Sequence, residues 1–507
     1  MDFRKEDRSN VKRNVPLEMS PEQFRSIGHK LVDNIADFLG TISERPVTTG
    51  DSPSIVRDLI GRGSLPEKGE DGASLLDKTT NLLFDHSLFN GHPKFLGYIT
   101  SSAAPIGALA DLLAAAVNPN VGGWLLSPVA TEIELQTVQW IAEMIGYHTN
   151  CGGLLVSGGN MANFVGFLTA RQAKANWNLR EKGMLSQEAS KMRVYASSEV
   201  HTWIHKATDI SGLGTDSIRW ISTDSRLQMD LNALRLQIDT DLENGEKPFL
   251  VIGTAGSVST GAIDPLSGLA DICRQYDLWF HVDGAYGAFA AVLEDAPHEF
   301  EGMKEADSIA VDPHKWLYSP LEAGCALVRH PQQLVEAFSY RPLYYKFDDV
   351  EGETTTSLVD FGPQNSRGFR ALKVWLCLKQ VGRSGYEEMI RDDIRLSRKL
   401  FQLAEAHPEL EAFTHNLSIT TFRYRPMDLK IDPEDIDTYL NKLNTELLTR
   451  LQQGGEAFVS NAVLDGKYLL RACIVNFRTE LKDIEELPEI ICRIGRELHK
   501  EMASNRE

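Results

Sequence analysis

The chain has 507 residues, of which 42% are hydrophobic, 8% aromatic and 24% charged, a composition that excludes a disordered or fibrous protein. The length predicts two or three domains with ample core. The 52 Lys and Arg against 71 Asp and Glu give a net charge of −19, and beyond the short Arg8–Arg13 region no basic stretch suggests a nucleic-acid partner. The start MDFRKEDRSN lacks an apolar h-region, and the apolar run Ile106–Val117 is interrupted by Asp111 and too short to span a bilayer. Six scattered cysteines without a C-x-x-C pair suit a reducing cytoplasm and predict neither a disulfide frame nor a metal site.

In chain order, the first element opens at Ser20-Pro21-Glu22-Gln23, an N-cap, a proline at the first helical position and a capping box. Phe24, Ile27, Leu31, Val32, Ile35, Phe38 and Leu39 then share one helical face, and Gly40 can close it. Such a helix needs a surface to dock on, either its own core or a partner subunit.

From about residue 150 short apolar runs alternate with helical segments. The runs are Leu154–Val156, Arg193–Ser197, Ser217–Ile221, Phe249–Gly253, Leu278–Asp283, Asp307–Val311 and Gly324–Val328. The helical segments between them are Met161–Lys174, Val200–Ile210, Leu231–Ile238 and Leu266–Tyr276. This alternation predicts an α/β fold with a mostly parallel sheet, whose ligands bind past the carboxyl ends of the strands. After about residue 385 long helices with strands at Ser418–Tyr424 and Lys467–Val475 predict a smaller α+β domain.

Four segments at predicted strand ends carry chemistry. In Val311-Asp312-Pro313-His314-Lys315-Trp316 a lysine leaves a buried strand beside aromatic groups, a setting that favours a lowered pKa and Schiff-base formation with an aldehyde. In His281-Val282-Asp283-Gly284-Ala285-Tyr286-Gly287 a carboxylate ends a strand among small residues, where it can pair with a protonated ring nitrogen while Ala285 leaves room for a flat ring; a plain helix cap is the simpler alternative. Val156-Ser157-Gly158-Gly159-Asn160 is a strand, a glycine turn and a helix start, with free N–H groups suited to a phosphate; it lacks the dinucleotide and P-loop spacings. His201 can stack on a planar cofactor or move a proton, and with His205 and Asp209 it forms an i, i+4, i+8 row that would otherwise suggest a metal. The small-residue loop Thr254–Asp264 can touch a cofactor or merely turn the chain. Lysine, carboxylate, histidine and phosphate nest together are the set that pyridoxal 5′-phosphate requires.

HVDGAYG followed by DPHKWL resembles the signature of the pyridoxal-phosphate-dependent group II amino-acid decarboxylases, nearest the aromatic-L-amino-acid decarboxylase branch. The likeness extends to His92-Pro93-Lys94-Phe95 with Tyr98, Ser127-Pro128 through Glu132, Arg370-Ala371-Leu372-Lys373-Val374-Trp375 and Leu470-Arg471. It implies fold type I, with an N-terminal helical dimerisation segment over 1–95, a cofactor domain over 96–385 and a small domain over 386–507. It implies a cytoplasmic homodimer with interface active sites, and decarboxylation of an L-amino acid, aromatic preferred, to the amine and carbon dioxide. By the same resemblance Lys315 carries the cofactor as a Schiff base, Asp283 pairs with the ring nitrogen and His201 stacks over the ring. Gly159, Asn160, Asp312 and His314 surround the phosphate and the lysine, and Tyr98 and Ser101 meet substrate. Relatives also act on acidic, sulfinate and diamino acids. Aromatic decarboxylases place a proton-returning tyrosine in the loop before Arg370, and its loss gives aldehyde synthases. Here Lys346–Arg370 contains no tyrosine and the nearest are Tyr344 and Tyr345, so either of these reaches in, another group donates, or the outcome is oxidative.

Overall fold

The computed structural model describes residues 15–341, 349–350, 352–429 and 432–504. The chain forms two compact units, Met1–Leu88 and Phe89–Glu507.

The first unit holds helices α1 (Pro21–Thr41), α2 (Pro53–Ile60) and α3 (Gly72–His86). The capping box of α1 forms as the sequence predicts: the Gln23 N–H donates to Ser20 Oγ at 3.2 Å and the Ser20 N–H to Gln23 Oε1 at 2.9 Å. Gly40 does not end the helix, which runs to Thr41. Phe38 stacks on Phe84 of α3 with centroids 4.2 Å apart. No residue of α1 is buried, and Phe24 is 60% exposed.

The second unit is built on a seven-stranded sheet in the order β1-β7-β6-β5-β4-β2-β3. Its strands are β1 (Gly152–Val156), β2 (Met192–Ser197), β3 (Ile218–Ile221), β4 (Lys247–Thr254), β5 (Trp279–Asp283), β6 (Ser308–Val311) and β7 (Gly324–Val328). All run parallel except β7, which is antiparallel to both β1 and β6. Helices α4 (Pro105–Val117) and α5 (Pro128–Met144) precede β1. The connections between successive strands are then helical: α6 (Gly159–Lys174) and α7 (Leu179–Lys182), α8 (Trp203–Ile210), α9 (Leu231–Glu243) and α10 (Leu266–Tyr276). Helix α11 (Pro331–Phe338) follows β7.

The strands are continuously apolar because both faces are covered. In β5, Phe280 and Val282 enter one core layer and Trp279 the other, the period-two alternation of a strand. Each such large side chain contributes about 1.5–3 kcal/mol by leaving water. The consequence for function is topological. Because β7 is antiparallel to β6, the link between them stays at the carboxyl edge of β6, beside the ends of β1, β2, β4 and β5.

A short hairpin, β8 (Asp349–Val350) with β9 (Glu353–Thr354), precedes the kinked helix α12 (Ala371–Ala406), broken at Gly382 where φ is +68°. Four antiparallel strands follow in the order β10-β11-β13-β12: β10 (Leu410–Asn416), β11 (Ile419–Tyr424), β12 (Ser460–Leu464) and β13 (Lys467–Cys473). Helices α13 (Ile436–Gly454) and α14 (Leu481–Ser504) cover this sheet. The predicted strands are the two central ones, β11 and β13. The edge strands β10 and β12 escape the sequence reading because β10 is mostly half-exposed and β12 is a five-residue strand of alternating burial. The segment Phe89–Leu96 runs beside this small sheet, with the Phe458 N–H donating to the Lys94 carbonyl at 3.0 Å and the Leu96 N–H to the Phe458 carbonyl at 2.7 Å. No helix among the described residues is long and apolar enough to cross a membrane.

Candidate active site

Lys315 lies in the tight turn between β6 and β7. Its N–H donates to the Asp312 carbonyl at 2.9 Å, and the Tyr318 N–H to the Lys315 carbonyl at 3.1 Å. The turn is anchored from below. Trp316 Nε1 and the Tyr318 hydroxyl donate to Asp393 Oδ2 of α12 at 2.9 and 2.6 Å, and the Tyr386 hydroxyl donates to the Leu317 carbonyl at 3.1 Å. Burial pushes the Asp393 carboxyl up to about 7. Trp316 stacks on Tyr286, centroids 4.9 Å apart. Lys315 Nζ lies 3.1 Å from the Asp312 carboxylate, an ion pair that the sequence reading did not include.

Lys315 lines a narrow cleft with Gly159, Asn160, His201, Thr254, Asp283, Ala285 and Asp312. The cleft shares His201, Val258 and Lys315 with a groove of about 630 Å³, a size suited to a small molecule. Asp283 ends β5, and its carboxylate accepts the Trp203 indole N–H on Oδ2 at 2.7 Å and the Ala285 N–H on Oδ1 at 3.2 Å. His201 precedes α8 rather than lying on it, so the row with His205 and Asp209 does not form on one helix face. Burial, with the nearby Lys315 cation, pushes the His201 imidazole below its usual range against the pull of Asp283. The ring is therefore neutral near pH 7, and because Nδ1 accepts the Trp203 N–H at 3.2 Å its proton sits on Nε2.

The glycine turn supplies an anion seat. Gly158 has φ +135°, and α6 starts at Gly159 with no side-chain cap, which leaves the first N–H groups open. A Cβ on Gly159 would come within 2.6 Å of Asp312 Oδ2 and 2.8 Å of the Ala285 methyl, so only glycine lets the cleft close this tightly. One buried polar atom of the lining, Asp312 Oδ1, has no partner among the described residues. A cleft with an amine, a buried carboxylate at a strand end, an uncapped helix start and an unpaired polar atom fits pyridoxal 5′-phosphate.

Most of the residues singled out in the sequence therefore converge. His314 stands beside the cleft, its Nδ1 donating to the Ala323 carbonyl at 2.8 Å and its pKa lowered by burial. Tyr98 lines the groove, while Ser101 is turned to the lysine turn, its hydroxyl donating to the His314 carbonyl at 2.8 Å. The Thr254–Asp264 loop does both things open to it: Thr254 lines the cleft, and Asp264 ties the loop by accepting the Thr254 N–H at 2.8 Å. Tyr344 and Tyr345 lie outside the described residues. The end of that loop is fixed by Arg367, buried in an ion pair with Glu134 of α5 and donating to the Val121 and Leu155 carbonyls at 2.7 and 2.8 Å.

Three residues were given no role from the sequence. Arg471, on β13, is 2% exposed and lines the groove; it donates to the Tyr98 carbonyl at 3.1 Å and Ser460 Oγ at 3.0 Å, while Nε and Nη2 have no partner among the described residues. The late Leu470-Arg471 pair was its signal. Trp203 and Asp393 gave no local signal, since each acts on a residue some 75 to 80 positions away.

A sheet of this order carrying a lysine on the β6–β7 turn and an aspartate at the end of β5 defines a fold type I, pyridoxal-phosphate-dependent enzyme. Residues 57–425 match the pyridoxal-dependent decarboxylase conserved domain. The chain is 34% identical over 479 residues to an aromatic-L-amino-acid decarboxylase of Bacillus atrophaeus, covering 94% of this chain and 96% of that one. It is 30% identical over 482 residues to a phenylacetaldehyde synthase of a Rosa hybrid cultivar, covering 93% and 94%. The crystal structure of Oryza sativa TDC with PLP and tryptamine superposes with a TM-score of 0.87 at 26% identity, covering 96% of this chain and all of that one. The chain belongs to the pyridoxal-phosphate-dependent amino-acid decarboxylase family.

Proposed function

We propose that this protein removes the α-carboxylate of an L-amino acid, aromatic preferred, to give the amine and carbon dioxide. The observation that carries this reading is the meeting of Lys315, Asp283 and the uncapped start of α6 in one cleft. Lys315 is the amine that carries the cofactor aldehyde. Asp283 would hold the ring nitrogen, His201 and Ala285 would contact the ring, and Gly159, Asn160, Asp312 and His314 would surround the phosphate and the lysine. Bound there, pyridoxal 5′-phosphate supplies an electron-withdrawing ring that accepts the electron pair released as carbon dioxide leaves.

The remaining work falls to the chain's own groups. Asp312 keeps the Lys315 ammonium in place while its amine is free. Arg471, buried behind the groove, holds the Tyr98 carbonyl and Ser460 Oγ and so fixes the groove wall that Tyr98 forms. Ser101 steadies the lysine turn from the substrate side. Neutral His201, with its proton on Nε2, holds a proton for exchange at the ring face.

We also read the protein as a cytoplasmic homodimer. Leu109, Leu112, Leu113 and Val117 of α4, with Leu125, Leu126 and Val129, leave a row of large apolar groups about half or more exposed, which a second copy would cover. The segment 1–95, whose α1 holds no fully buried residue, serves as the dimerisation arm, with 96–385 the cofactor domain and 386–507 the small domain.

A second reading, a decarboxylating aldehyde synthase, is favoured by one observation: Lys346–Arg370 contains no tyrosine to return a proton to Cα. One experiment separates the two. A panel of amino acids is assayed for amine, aldehyde, carbon dioxide and peroxide together. Amine equal to carbon dioxide supports decarboxylation, aldehyde with peroxide selects the second reading, and no carbon dioxide from any amino acid overturns both.

A further inference from the structure

Trp203 makes two hydrogen bonds, one to each of the side chains assigned to the cofactor ring. Its backbone N–H donates to His201 Nδ1 at 3.2 Å, and its indole N–H to Asp283 Oδ2 at 2.7 Å. Because α8 begins at Trp203, a single residue at a helix start reaches both. The indole has no freedom to turn away. It is 1% exposed and is met edge-on by Phe167 and His281, with centroids 6.4 and 5.7 Å away and both interplanar angles 78°. His281 is itself pinned, with Nδ1 at 2.7 Å from Ser308 Oγ and Nε2 at 2.7 Å from Asn163 Oδ1.

The chemistry of the donor matters. A carboxylate that must keep a ring nitrogen protonated needs both a fixed orientation and its full negative charge. An arginine or lysine would fix it but would offset that charge and compete with the ring. A neutral indole N–H orients the carboxylate and leaves the charge in place. Among the described residues the other donor to the Asp283 carboxylate is the Ala285 N–H, also neutral.

We propose that Trp203 is a positioning residue for the cofactor's ring nitrogen, acting through Asp283. This rests on the reading of Asp283 as the ring-nitrogen partner. The bland explanation is that Trp203 only fills the core, a role that depends on its bulk and not on its N–H.

The test uses the full chain stripped of cofactor. Binding of pyridoxal 5′-phosphate, and of its analogue with C–H in place of the ring nitrogen, is measured by equilibrium dialysis. Four proteins are compared: wild type, Trp203→Phe, a variant carrying 3-benzothienylalanine at position 203, which keeps the indole shape without the N–H, and Asp283→Ala. Both position-203 variants should bind pyridoxal 5′-phosphate about tenfold more weakly, as for loss of a hydrogen bond to a charged group, and the analogue within twofold of wild type. Equal weakening toward both cofactors, or undiminished affinity in the benzothienyl variant, would overturn the proposal; if Trp203→Phe fails to fold, the isosteric variant decides. Asp283→Ala should erase the wild-type preference for the natural cofactor over the analogue. A preference that survives that substitution refutes the assignment of Asp283 itself, an outcome distinct from failure of the Trp203 proposal.

Discussion

Two buried carboxylates in this protein are held alike and do different things. Asp283 and Asp393 are 6% and 3% exposed, and each accepts an indole N–H, from Trp203 at 2.7 Å and from Trp316 at 2.9 Å. Asp283 ends a strand at the carboxyl edge of the sheet and faces the cleft. Asp393 sits in the middle of α12 under the lysine turn, closed in by Trp316 and the Tyr318 hydroxyl, and burial lifts it to about 7. Function follows from the side left open: the first can meet a ring, and the second can only hold the turn that carries the amine.

Substitutions separate the two roles. Lys315→Ala should have the largest effect, loss of the absorbance of bound cofactor and a fall in turnover of roughly 10³-fold or more. Asp283→Asn should follow, with kcat lowered by about 10²-fold and thermal stability nearly unchanged, since the amide keeps the shape but loses the charge. Asp393→Ala should reverse that pattern. It leaves the Trp316 and Tyr318 donors unpaired and should lower unfolding stability by about 2–5 kcal/mol in denaturant titrations.

The Asp393 pair also has a pH signature. Its pKa is raised in the folded state above the ordinary carboxylate value, so its stabilising contribution is fully present below about pH 4 and is lost as pH rises through about 7. Asp393→Asn should therefore remove roughly 3–4 kcal/mol of pH dependence between pH 4 and 7 from the unfolding free energy. A slope in the variant equal to that of wild type would show that Asp393 is ionised throughout. The smallest effect is expected for Tyr286→Phe, which removes one hydroxyl, 2.7 Å from Ser418 Oγ and accepting the Ser418 N–H at 3.0 Å, at a cost of about 1 kcal/mol.

The same contrast explains what the sequence discloses. Asp283, Lys315 and the Gly158-Gly159 turn were legible because each closes a strand of continuous apolar residues, and chemistry at the carboxyl edge of a parallel sheet is local in sequence. Asp393 was not, because within a long amphipathic helix an aspartate has no mark that distinguishes it from a solvent-facing one. Trp203 was passed over because its partner lies 80 residues on, and a tryptophan at a helix start reads as core. Ser101, expected at substrate, has its hydroxyl turned to the His314 carbonyl, a contact 213 positions away that no local pattern announces. The edge strands β10 and β12 were lost for lack of a two-sided apolar pattern. The net charge of −19, prominent at the outset, enters none of these contacts.

The assignment of the amine at position 315 is the claim on which the rest depends. Reduction of the cofactor-loaded protein with borohydride, followed by peptide mass mapping, tests it directly. The cofactor should be found covalently fixed to Lys315 and to no other lysine, and its recovery on a different lysine, or on none, would contradict the account.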